Sequence, residues 1–166
     1  MRIVGIDPGT ARLGYGIIDA DDGYTPIDFG TIETSSKHAM PYRLLELHEA
    51  LTRLITIHSP QAMAIEQLFF SRNVTTAIAV GQARGVALLA AARAGIPVTE
   101  YTPSEVKQAI SGYGNADKQQ VQFMVQLLLE LDAPPQHDDT ADALAVALCH
   151  GQSHAFQDRI QTGSAG

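Results

Sequence analysis

The spacing of apolar and polar positions changes several times along the chain, and each change marks an element. Ile3 to Ile6 is a short continuous apolar run that stops at Asp7-Pro8-Gly9, the pattern of a buried strand ending in a turn. Leu13 to Asp19 and Thr25 to Glu33 read as two further strands, separated by the turn signal Asp21-Asp22-Gly23. From Pro41 to His58 the period lengthens. Leu44, Leu47, Leu51, Leu54 and Ile55 form a helical stripe that stops before Ser59-Pro60.

Ala62 to Ile65 is a fourth apolar strand, ending at Glu66. Val74 to Ala94 predicts a long helix dense in Ala and Gly, and Pro97 to Tyr101 a fifth strand. Pro103 to Ile110 begins as a helix with Pro in its first turn. The Gly-rich link from Ser111 to Asn115 leads to a helix from about Asp117 to Leu131, and a last helix runs from about Asp139 to His150. From Gly151 onward the residues are small, polar and aperiodic, which predicts a flexible C-terminal tail over 151–166 after a single domain over 1–150. A meander of strands followed by strands alternating with helices implies an α/β fold with a mixed five-stranded sheet flanked by helices, the ribonuclease H-like arrangement.

Composition narrows this reading only a little. The 166 residues suit one core, and 45% hydrophobic with 17% charged residues is ordinary for a globular protein. No signal-peptide pattern precedes the first strand, and no stretch approaches the roughly 18 uninterrupted apolar residues of a membrane span, so a soluble cytoplasmic protein is expected. The single Cys149 cannot form an internal disulfide and reads as a buried reduced thiol. A formal net charge of −7 argues against a nucleic-acid partner unless the acids are gathered at a cation site and basic residues line a separate path.

The acids do have such a pattern. Asp7 and Glu66 each close a buried strand, so neighbouring strands would bring both to one sheet edge, where α/β folds build their sites. Asp139 and Asp142 lie three apart at the start of the last helix and share a face. Convergent carboxylates without His or Cys suit hard divalent cations, Mg²⁺ or Mn²⁺. Two such ions about 3.5–4 Å apart can activate a water and stabilise the leaving oxygen of a phosphodiester displacement. Each acid also has an ordinary structural explanation: Asp7 as a turn residue, Glu66 as a solvated strand end, Asp139 as an N-cap and Asp142 as a partner of the helix dipole. Asp138 is an alternative cap or ligand.

On these residues the chain resembles the RuvC family of Holliday junction resolvases from Met1 to about His150. The matching segments are Gly5-Ile6-Asp7-Pro8-Gly9-Thr10 with Gly14-Tyr15-Gly16, Glu66-Gln67-Leu68-Phe69, Gly81-Gln82-Ala83-Arg84-Gly85, and Asp139-Thr140-Ala141-Asp142-Ala143-Leu144-Ala145. The resemblance implies that Asp7, Glu66, Asp139 and Asp142 are the catalytic, metal-binding tetrad for two Mg²⁺ ions, with Mn²⁺ able to substitute. It implies a homodimer that nicks two opposed strands of four-way junction DNA, working with the RuvA and RuvB branch-migration proteins. Gln136-His137-Asp138 departs from some members by an extra residue, so Asp138 and Asp139 compete for the ligand position; the i,i+3 register with Asp142 favours Asp139, and His137 stands as a surface or outer-shell residue.

Phe69 and Phe70 follow Glu66 in a loop-like segment, where an exposed aromatic can stack on unpaired bases. The resemblance assigns that role to Phe69 and phosphate contacts to Lys107, Lys118 and Arg72. The small residues around Gly81 and Gly85 allow close approach of another backbone, either the chain's own sheet or a second copy; the resemblance selects the dimer. Three rivals stand beside this reading. An actin-like ATPase needs a second domain and phosphate loop, a YqgF-like RNA nuclease shares the opening motif, and a junction-binding module would not cut.

Overall fold

The computed structural model of the chain describes residues 1–67 and 74–163, with side chains as far as residue 156. The elements run β1 (Arg2–Asp7), β2 (Arg12–Asp21), β3 (Gly23–Glu33), α1 (Met40–His58), β4 (Ala62–Glu66), α2 (Val74–Arg93), β5 (Val98–Tyr101), α3 (Pro103–Ser111), α4 (Lys118–Leu128) and α5 (Asp138–Gly163). The five strands form one sheet in the order β3-β2-β1-β4-β5. β1, β2 and β3 pair antiparallel, while β1 with β4 and β4 with β5 pair parallel. This is the mixed sheet expected from the alternation of periods.

Strand alternation divides the core into two layers. Val4, Ile6, Leu13, Ile17, Met63 and Ile65 pack with Leu47 and Leu51 of α1 and Ala83 and Ala87 of α2. Ile3, Ile18 and Ala64 face the other way, onto Leu144, Ala147 and Leu148 of α5 and the inner positions of α3 and α4. The two short helices begin where side chains satisfy their free N–H groups. Thr102 and Glu105 form a capping box before α3, and Asp117 and Gln120 form another before α4.

Two expectations need correction. The flexible, aperiodic tail expected over 151–166 is instead helical through Gly163, as a continuation of α5. Gly151 reads as a helix stop but serves as a contact: a Cβ there would lie 2.9 Å from the Tyr24 ring and 3.1 Å from Ala20 Cβ, so the glycine lets the helix lie close on the sheet. Secondly, α2 is long and apolar enough to cross a bilayer by length and composition alone. The expectation that no stretch comes near that limit counted uninterrupted apolar runs, which Gln82 and Arg84 break. In the fold the helix lays Ala83, Ala87, Ala90 and Ala91 on the α1 layer. Cys149 is buried and unpaired as expected, and burial pushes its thiol up to about 12.

Candidate active site

Asp7 and Glu66 end adjacent parallel strands, in a register that pairs Ile6 with Ile65 and so brings the two ends side by side. Alternation fixes which way they face. Ile3 in β1 and Ala64 in β4 lie on the α5 side, Gly5 meets the α5 backbone, and Asp7 and Glu66 continue the same parity. Both carboxylates therefore emerge beneath α5, at the carboxyl ends of the strands.

The first turn of α5 comes down onto this edge because glycines clear its path. A Cβ on Gly14 would lie 2.0 Å from the carbonyl oxygen of Asp139, and one on Gly5 would lie 2.0 Å from that of Ala143. Gly14 is the ladder partner of Asp7, so the Asp139 backbone rests on the residue opposite Asp7. The motif glycines thus set the height of the helix that delivers Asp139 and Asp142.

The field at this edge records the crowding. Burial raises the Asp7 carboxyl to about 7, with Asp142, Asp139 and Glu66 each adding to the effect. Glu66 is also raised, first by burial and then by Asp142, against the opposing charge of Lys107. Asp142 is raised by burial, with Lys118 partly offsetting it. Two cations hold the outer side of the group: Lys118 Nζ is 3.6 Å from Asp142, and Arg12 is 3.7 Å from Asp139.

Among the described residues, no three His, Cys, Asp or Glu side chains stand in an arrangement that would enclose a metal ion as placed. The outer pairings account for this, since Asp139 leans to Arg12 and Asp142 to Lys118. The donor set nevertheless fits a hard cation: it is all carboxylate, partly buried and mutually repulsive, and a divalent ion would relieve that repulsion. Asp138 is turned elsewhere. It accepts from Gln122 at 2.8 Å and pairs with Lys118 at 3.0 Å, contacts that hold it below the usual carboxylate range. His137 contributes its backbone carbonyl to the first turn of α5, accepting from the N–H groups of Thr140 and Ala141.

Lys107 and Lys118 line one cleft with Glu66, Asp142 and Val106, with a volume of about 280 Å³. Phe69 and Arg72 lie outside the described residues. Sequence reasoning missed Arg12. Its signal lay in strand pairing: it sits opposite Glu33 in the β2–β3 ladder, donates to it from Nε at 2.9 Å, and stands two residues from Gly14.

Fold and site together define a ribonuclease H-like α/β domain with a carboxylate cluster at the carboxyl edge of its parallel strands. Residues 3–150 match the family model described as crossover junction endodeoxyribonuclease RuvC. A crossover junction endodeoxyribonuclease RuvC of Desulfitobacterium hafniense is 55% identical over 96% of this chain and 98% of its own. One of a Roseiflexus species is 53% identical over 98% and 97%. The structure of Thermus thermophilus RuvC superposes with a TM-score of 0.86 at 36% identity, covering 98% of each chain. The structure of the same organism's RuvC in complex with Holliday junction substrate gives 0.87 at 33% identity over 94% of this chain and 96% of that one. This chain belongs to the RuvC family of crossover junction endodeoxyribonucleases.

Proposed function

We propose that the chain is a divalent-metal-dependent endonuclease that resolves four-way DNA junctions by hydrolysing one phosphodiester bond in each of two opposed strands, in recombination and repair. The observation that carries this reading is the placement of Asp7, Glu66, Asp139 and Asp142 on one face of one sheet edge, where burial and mutual repulsion raise three of the four. The relative solved with a Holliday junction, similar along nearly the whole chain, supports the choice of substrate.

In this reading Asp7, Glu66, Asp139 and Asp142 hold two Mg²⁺ ions, with Mn²⁺ able to replace them. When bound, the ions supply Lewis-acid activation of the attacking water and neutralise charge at the departing oxygen. The chain's own residues do the rest. Asp7, half-buried at the base of the cluster, fixes its centre. The Gly5 and Gly14 contacts hold α5 at the height from which Asp139 and Asp142 reach inward. Lys118 now neutralises Asp138 and Asp142 and is placed to turn to a phosphate, with Lys107 across the same cleft. By the resemblance to the family, Phe69 is assigned to base stacking and Arg72 to phosphate contact.

A two-fold dimer would present one such site to each of two equivalent strands. α2 offers the surface for it: Val74, Ile78 and Leu89 are 68%, 58% and 53% exposed, and Gly85 has open space where a Cβ would be. Branch-migration proteins of the RuvA and RuvB type, acting on the same junction in the cytoplasm, complete the assembly.

The test is cleavage of a synthetic four-way junction beside matched linear duplex, single strand and RNA, with Mg²⁺, Mn²⁺ or chelator. Paired symmetrical nicks confined to the junction and dependent on metal are expected. Cleavage of RNA in preference would replace this reading with the RNA nuclease, and metal-independent binding without cutting would replace it with a junction-holding module.

A further inference from the structure

The carboxylate group lies between two clefts. On one side is the Lys107–Lys118 cleft; on the other, a larger one of about 570 Å³ is lined by Thr10, Arg12, Glu33, Thr75 and Asp139. Asp142 borders the first and Asp139 the second, so the start of α5 stands at their junction. A strand laid across the acids would run from one cleft into the other, and among the described residues that line the second the one Lys or Arg is Arg12.

Arg12 is held ready for an external anion. Its backbone is fixed in the ladder opposite Glu33. The loop before it is pinned, because Thr34 donates from Oγ1 to the Thr10 carbonyl at 2.5 Å and from its N–H to that of Ala11, while Arg43 secures the Thr34 hydroxyl at 2.8 Å. Glu33 occupies Nε of a guanidinium that has five N–H donors, and Asp139 at 3.7 Å makes an ion pair too long for a hydrogen bond. The side chain remains 42% exposed, in a cleft that Thr10 and Thr75 also line.

We infer that Arg12 is a DNA-binding residue, contacting a backbone phosphate of the strand being cut on the side of the site opposite Lys107 and Lys118. Two flanking cation positions set the register of the strand over the acids, and they concentrate positive charge where an acidic chain needs it. This inference rests on the reading of the chain as a junction nuclease.

Junction affinity measured against salt in the presence of chelator tests it, since each phosphate neutralised contributes about 0.9 to the slope of log K against log salt. Arg12→Gln is expected to weaken binding severalfold at low salt and to lower the slope by about 0.9 for each site engaged, whereas Arg12→Lys keeps the slope. Glu33→Gln, which leaves Arg12 in place without its internal anion, is expected to tighten binding; it carries the test if Arg12→Gln does not fold. An unchanged slope in Arg12→Gln, or no tightening in Glu33→Gln, overturns the role of Arg12 alone. Absence of salt-dependent junction binding by the unaltered protein would overturn the functional reading itself.

Discussion

The two faces of the sheet are built on opposite principles. Beneath α5 the strands carry Gly5, Gly14 and Gly16, and the helix backbone rests where side chains would otherwise stand. On the other face Val4, Ile6, Ile17, Met63 and Ile65 pack against α1 and α2, and the outer side of α2 exposes Val74, Ile78 and Leu89. At the carboxyl edge the α5 face gives up side-chain bulk to bring charged groups together, while farther along the same face Ile3 and Ile18 still bury against Leu144 and Leu148; the other face is filled by larger side chains throughout. The period-2 alternation decides which helix layer each strand residue meets.

The largest effect should come from the charged face. Asp7→Asn and Asp139→Asn are each expected to lower junction cleavage by about a thousandfold or more, because several kcal/mol of transition-state stabilisation depend on the ligand set and each ~1.4 kcal/mol is tenfold. Asp7→Asn should also stabilise the metal-free protein. The folded carboxyl, near 7, lies above its unfolded value, so the native state holds the extra proton between about pH 4 and 7 and stability falls as pH rises through that window. At pH 8 the variant should melt several degrees higher than the parent, with both in chelator. A parent whose melting temperature does not fall between pH 5 and pH 8 relative to the variant would show that Asp7 is not strained in the fold.

Paired glycine substitutions probe the faces directly. Gly14→Ala places a methyl against the Asp139 carbonyl and should cost about 1–3 kcal/mol while displacing the first turn of α5, so thermal stability and cleavage fall together. Gly85→Ala meets open space in the chain and gains helix propensity of about 1 kcal/mol. Denaturant melts of the two variants should move in opposite directions; movement in the same direction would break the contrast. On the α2 side, the proposed dimer predicts that the parent self-associates and that Ile78→Glu abolishes this while leaving the fold intact, read by sedimentation with circular dichroism as the control. A variant that unfolds would place Ile78 in the core instead.

How much of this was legible depended on whether the signal was local. Strand ends at Asp7 and Glu66 follow from apolar runs, and Pro103 marks the start of α3 from within its own first turn. Gly151 could not be read correctly, since a glycine that ends a helix and one that seats it against Tyr24 are the same letter. Arg12 was invisible for a similar reason. Its meaning comes from Glu33 across the ladder and Asp139 on α5, partners 21 and 127 positions away. The Ala-rich α2 showed small residues but not which of them face outward, because alanine and glycine stand on both its buried and its exposed sides and give little directional pattern.

The smallest expected effect tests the finest distinction on the charged face. Asp138 and Asp139 are adjacent and chemically identical, yet the helix turns them about 100° apart. Asp139 acts on Asp7, while Asp138 is occupied by Lys118 and Gln122 at the rim. Asp138→Asn should therefore leave cleavage within a fewfold of the parent. It also frees Lys118 from one of its two acids, so any change should be a modest gain in junction affinity at low salt that disappears as salt is raised. Loss of cleavage on the scale of Asp139→Asn would mean that α5 is rotated by a residue in the working enzyme, with Asp138 rather than Asp139 serving as the inward ligand.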